Sequence, residues 1–196
     1  MSGRETTGPN RRQILQAATL ATASAWAGGP ALAQGAGRSA VVFLSRSSNT
    51  RMLAGHLARR HDADLFEIRP RAPWPEDYDE MVAWATRWRE SDRLLPLDAI
   101  PDFSRHDVIF LGFPIWGMSL PAPMRSLLSA VDLSGKTILP FITHGGYGAG
   151  STLNEVRRLA PNAAFAPEFV LQCDQERDNL DAMQGWLDEV KTEIVR

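Results

Sequence analysis

Apolar positions along the chain switch repeatedly between two spacings. Ser39-Ala-Val-Val-Phe-Leu44 is a short, β-branched apolar run and predicts a strand buried on both faces. Over Thr50 to His61, Leu53 and Leu57 stand four apart, which predicts a helix. Leu65-Phe-Glu-Ile68 is a second strand, closed by Pro70, and Pro73-Trp74-Pro75 is a loop. Tyr78, Met81, Ala85 and Trp88 mark one face of a second helix, whose acidic start at Glu76, Asp77, Asp79 and Glu80 suits a helix N-terminus. Asp107 to Gly112 is a third strand, and Met124, Leu127, Leu128 and Val131 mark a third helix. Thr137 to Thr143 is a fourth strand, in which Pro140 fits poorly because it cannot donate to a ladder. Ser151 to Ala160 is a helix with Ser151 as its N-cap. Ala164 to Cys173 supplies a fifth strand, with Cys173 expected as a small buried apolar residue. Leu180, Met183, Leu187, Val190 and Ile194 mark the last amphipathic helix.

Five strand–helix units in succession predict an α/β domain with a doubly wound parallel sheet and helices on both faces. The segment before them is different. Arg11-Arg12 follows a polar start, Ile14 to Ala27 carries no charge, and Ala31-Leu32-Ala33 offers a small-x-small cleavage site. Residues 1–33 are therefore expected to be a cleaved signal peptide, and the paired arginines point to the twin-arginine route and a periplasmic product. The apolar run is shorter than the roughly 20 residues a spanning helix needs.

Composition changes this picture only modestly. Of 196 residues, 44% are apolar and 22% charged, an ordinary globular balance. Without residues 1–33 the chain has 163 residues, and loss of three arginines and one glutamate moves the formal charge from −2 to −4. That balance argues against a large nucleic-acid footprint. A single cysteine excludes an internal disulfide framework, and four scattered histidines without an HExxH pair argue against a protein-held metal.

In an open parallel sheet, ligands sit beyond the carboxyl ends of the strands, so the loops after strands one, three and four are the candidates. Ser45-Arg46-Ser47-Ser48-Asn49-Thr50 has four hydroxyls in six residues and opens a helix, a setting that suits a phosphate. It also suits a polar capping loop that binds nothing. In Pro114-Ile115-Trp116-Gly117, a flat indole stands next to open backbone, ready for a planar ring or packed on the sheet edge. Thr143-His144-Gly145-Gly146-Tyr147-Gly148 lets the backbone approach a ligand or makes a plain turn. His144 is a candidate proton donor or a capping side chain. Trp74, Trp84 and Trp88 are read as packing residues, with a roof over a cleft as the alternative.

These segments together resemble the flavodoxin-like superfamily. The resemblance runs from Phe43-Leu-Ser-Arg-Ser-Ser-Asn-Thr50, through Asp64-Leu-Phe-Glu-Ile68, Pro75-Glu-Asp-Tyr78 and Val108 to Trp116, to Leu133-Ser-Gly-Lys-Thr137 and Pro140 to Gly146. It implies a strand order 2-1-3-4-5 and FMN as cofactor. Ser45, Ser47, Asn49 and Thr50 would then hold the phosphate, with Pro114 to Gly117 and Thr143 to Gly148 flanking the isoalloxazine. Arg46 departs from the uncharged loop of electron-carrier flavodoxins, and either reaches the phosphate or points to solvent. Three functions follow as expectations. The first is an FMN-dependent oxidoreductase of the quinone-reductase kind, with small-molecule donor and acceptor. The second is a flavodoxin-type electron carrier, and the third a binding module without flavin. No nucleic-acid or membrane partner is expected after cleavage, and a homodimer is left open.

Overall fold

The computed structural model describes residues 38–173 and 182–190. The segment 1–33 lies outside the described residues, as do Leu180 and Ile194 of the last helix. In chain order the elements are β1 (Arg38–Phe43), α1 (Asn49–His61), β2 (Asp64–Glu67), α2 (Tyr78–Arg89), β3 (His106–Pro114), α3 (Ala122–Ala130), β4 (Thr137–His144), α4 (Thr152–Leu159), β5 (Ala164–Phe165) and β6 (Phe169–Gln172). Residues 182–190 form a further helix, α5. Every strand pairing is parallel, in the order β2-β1-β3-β4-β5, with β6 also pairing with β4.

Strand alternation explains why the central strands read as unbroken apolar runs. Ala40, Val42, Leu44, Ile109, Leu111, Ile138 and Ile142 enter one core, with Met124 and Leu127 of α3 and Leu153 and Val156 of α4. Val41, Phe43, Phe110, Leu139 and Phe141 enter the other, with Leu53 and Leu57 of α1 and Met183, Trp186 and Leu187 of α5. Both faces are covered, so period-two polarity vanishes. Each fully buried leucine contributes roughly 2 kcal/mol relative to exposure.

The expected fifth strand is split in two. β5 and β6 occupy one position beside β4 and are separated by Ala166-Pro167-Glu168. This break accommodates Pro140. The carbonyls of Lys136 and Ile138 accept from the amides of Ala164 and Ala166, so by alternation the nitrogen of Pro140 points the same way. It meets the interruption, where a missing donor costs nothing. The carbonyl of Pro167 is taken instead by Trp186 Nε1 at 3.1 Å, which ties α5 to the gap.

Helix starts divide. Asp77 caps α2 as its acidic start suggests, its side chain accepting from the amide of Glu80 at 2.9 Å. Ser151 stands at the N-cap of α4, but its side chain makes no cap bond, and Thr152 Oγ1 donates to the carbonyl of Ala149 instead. Cys173 is half-buried, just past β6, rather than enclosed.

Candidate functional site

The polar loop after β1 runs into the first turn of α1 at the carboxyl end of the sheet. Ser45 is 2% exposed, and its Oγ is a buried hydroxyl without a hydrogen-bond partner. Ser47, Ser48 and Asn49 are exposed. Ser48 is the N-cap of α1 in a left-handed conformation (φ 71°), makes no side-chain cap bond, and is followed by no acidic residue in the first turn. A helix start leaves amides without intrahelical partners and carries partial positive charge. Here neither a side-chain cap nor a carboxylate answers it. Arg46 is half-buried, and its Nη2 donates to the carbonyl of Glu76 at 2.8 Å, which clasps this loop to the one before α2.

The three candidate loops are joined to each other. Thr50, 1% exposed, shares a 2.9 Å hydrogen bond between its Oγ1 and Thr143 Oγ1 at the end of β4. The carbonyl of Thr143 accepts from the amide of Ile115 at 2.9 Å. One threonine thus links the loops after β1, β3 and β4.

At the end of β3 and just beyond it, Pro114, Ile115 and Trp116 are half-buried and Gly117 is exposed. Trp116 to Ser119 is a tight turn, with Gly117 and Met118 both at positive φ (57° and 61°). Trp116 stands edge-on to Trp74 at 5.9 Å and to Trp84 at 6.5 Å, and Trp84 meets Trp88 at 6.3 Å. All four indoles pack against the core on the α3 side, the packing role expected for Trp74, Trp84 and Trp88.

In the glycine loop, His144 faces inward on its own backbone. Its Nδ1 accepts from the amides of Gly146 at 3.0 Å and Gly148 at 3.3 Å. An accepting Nδ1 leaves the ring proton on Nε2. The amide of Gly146 is therefore engaged within the loop. Tyr147 is 86% exposed. Gly150, at φ +58°, closes the loop against its neighbour: a Cβ there would lie 2.6 Å from the carbonyl oxygen of Met118.

Sequence reasoning missed the residues that hold these parts in place. Arg125 of α3 donates to the carbonyls of Trp88 (2.7 Å), Ser91 (3.0 Å) and Arg89 (3.3 Å), fixing the end of α2. Ser126 Oγ accepts from the amide of Leu95 at 2.8 Å. No local pattern announces such bonds; a buried serine on a helix face otherwise apolar is the only hint.

Residues 38–190 match the family model described as Flavodoxin. No curated protein matches the chain. Among solved structures, a protein from Bacteroides eggerthii classed provisionally as a flavoprotein is similar at TM-score 0.68 and 22% identity, covering 80% of this chain and 99% of that one. A flavoprotein in complex with FMN from Lactobacillus acidophilus is similar at TM-score 0.58 and 17% identity, over 74% and 99%. The apo form of an NADH:FMN oxidoreductase is similar at TM-score 0.51 and 17% identity, over 80% and 89%. At these identities the likeness establishes the fold.

Proposed function

The chain belongs to the flavodoxin family, and from that premise we propose that it binds FMN and works as an oxidoreductase passing electrons or hydride to a small acceptor such as a quinone. The observation that carries the reading is Ser45 Oγ, a buried hydroxyl with no partner beside an uncapped, acid-free helix start. A buried donor left unmade is costly, and a phosphate is the guest that would satisfy it together with the helix amides. Ser45, Ser47, Asn49, Thr50 and the first amides of α1 would hold the phosphate. Pro114 to Gly117 and Thr143 to Gly148 would flank the ring.

Bound FMN supplies the redox chemistry, while the protein supplies binding, orientation and electrostatics. The amides of Gly117, Gly145 and Tyr147 would be the loop donors left for that role, because those of Gly146 and Gly148 bond to His144. His144 acts in this reading as a positioning residue that shapes the loop.

The solved FMN complex and the oxidoreductase of the same fold support the reading. A reductase is favoured over a pure carrier because Arg51, Arg59 and Arg60 stand exposed on α1, where a carrier would present an acidic face to steer its partners. The purified protein is expected to be yellow with about one FMN per chain, and to oxidise NAD(P)H when a quinone is supplied. A colourless protein that takes up no added FMN would refute the reading; bound FMN without turnover would leave a carrier. Export by the twin-arginine route belongs to the same proposal, since that route carries folded proteins with their cofactor in place. Replacing Arg11 and Arg12 by lysine should keep the protein in the cytoplasmic fraction, and unchanged export would remove this part.

A further inference from the structure

The loop leaving β2, the second half of α2 and the segment after it enclose a cleft of about 240 Å³ that the proposed flavin site does not use. Trp84 and Trp88 line it, with buried Leu95 and Pro70 beneath and exposed Arg71 and Arg93 at its opening. Its walls are fixed in advance. Arg125 holds the carbonyls at the end of α2, Ser126 holds the amide of Leu95, and the amide of Arg71 donates to the carbonyl of Pro96 at 2.9 Å. A preformed wall lowers the ordering cost of binding.

The two arginines differ from the others nearby. Arg51 and Arg69 are paired with Glu67, and Arg125 is engaged by three carbonyls. Among the described residues, the guanidinium of neither Arg71 nor Arg93 has an ion pair, a hydrogen bond or a ring contact. Two open guanidiniums at the mouth of an indole-lined, apolar-floored cleft ask for a ligand that is flat at one end and anionic at the other. The volume lies below the roughly 300–1,000 Å³ of sites for drug-sized ligands, which limits the guest to one or two rings.

We propose that this cleft binds a small planar aromatic acid, with its rings against Trp84 and Trp88 and its carboxylate on Arg71 and Arg93. Trp84 also meets Trp116, so the occupant lies one indole away from the loop proposed to flank FMN. That adjacency rests on the flavin reading; the binding site itself does not.

Calorimetry with 2-naphthoate, and with neutral 2-naphthylmethanol as its counterpart, tests the proposal on the protein with and without added FMN. One naphthoate per chain is expected, bound at least about tenfold tighter than the alcohol, as two charge-assisted contacts allow. The double variant Arg71→Gln, Arg93→Gln should bind both probes alike, with an unchanged circular dichroism spectrum and FMN affinity. Absence of naphthoate binding, a preference that survives the double variant, or displacement of FMN by naphthoate would overturn it. Failure of the flavin reading would appear separately, as no FMN uptake, while naphthoate binding persisted.

Discussion

The two ends of the sheet treat polar groups in opposite ways. At the amino end, His106 is 0% exposed and its Nε2 bonds to Asp64 Oδ2 at 2.9 Å, while Lys136 Nζ donates to the carbonyl of His106 at 2.6 Å. Arg38 (3.3 Å) and Arg105 (3.5 Å) close on the same carboxylate oxygen of Asp64. The bond from His106, with the two guanidiniums behind it, holds the Asp64 carboxyl below its ordinary value against the opposing pull of desolvation. His106 Nδ1 is buried there without a hydrogen-bond partner. At the carboxyl end a buried hydroxyl without a partner, Ser45 Oγ, stands next to helix amides that, among the described residues, no side chain caps. The amino end gathers its charged groups around one carboxylate; the carboxyl end sets a hydroxyl beside an uncapped helix start. Stability and ligand binding should therefore be separable by mutation.

The largest expected effect tests the amino end. His106→Ala removes a buried ring and its bond to Asp64, and should cost about 3 kcal/mol in urea unfolding at neutral pH. FMN affinity, measured by quenching of flavin fluorescence, should stay within about twofold, since the site is at the opposite end. A matching loss of affinity would show that the two ends are coupled. Next comes Ser45→Ala. The hydroxyl has no bond to lose in the unliganded protein, so stability should change by less than about 0.5 kcal/mol, while the FMN Kd rises about tenfold, or ~1.4 kcal/mol. Lost stability with unchanged affinity would invert the assignment. The smallest effect is a pH dependence. A carboxyl whose pKa is lowered on folding stabilises above its unfolded value and loses that contribution as pH falls through the folded one. The gap in urea midpoint between the parent protein and Asp64→Asn should thus be open at pH 7 and close as pH drops below the ordinary value of 3.8. A gap of constant size would mean that the charge of Asp64 is not what matters.

Glu67 shows the same balance beside the site. Burial pushes its carboxyl up, but the hydrogen bonds from Arg69 and Arg51 outweigh it and leave the group below its ordinary value. Those pairs engage Arg51 of α1, while Arg59 and Arg60 are exposed.

The layered fold was legible because it is written in local spacing. Leu53 and Leu57 point to one core, and alternate residues of Val41-Val-Phe-Leu44 enter both. The acidic run at the start of α2 marked a helix N-terminus, and the structure identifies Asp77 within it as the cap. The loops at the carboxyl end were legible by composition, but not the bonds that join them. Thr50 and Thr143 are 93 residues apart, and no local pattern pairs them. Arg46 was read toward phosphate or solvent because its partner is a backbone carbonyl, which every residue carries. The split between β5 and β6 was hidden because Ala164 to Cys173 read as one strand, and only the register shows that Pro140 and Pro167 face one gap.

That gap has a consequence for how copies of this chain meet each other. A free sheet edge is a template on which another chain can lay a strand and begin a polymer. Here one edge is the four-residue β2, and the other is two residues, a proline break and four residues more. Among the described residues neither edge offers more than four consecutive strand residues, so the break at Pro167 keeps the longer edge from presenting a continuous template in a sheet that is otherwise rich in β-branched and aromatic residues.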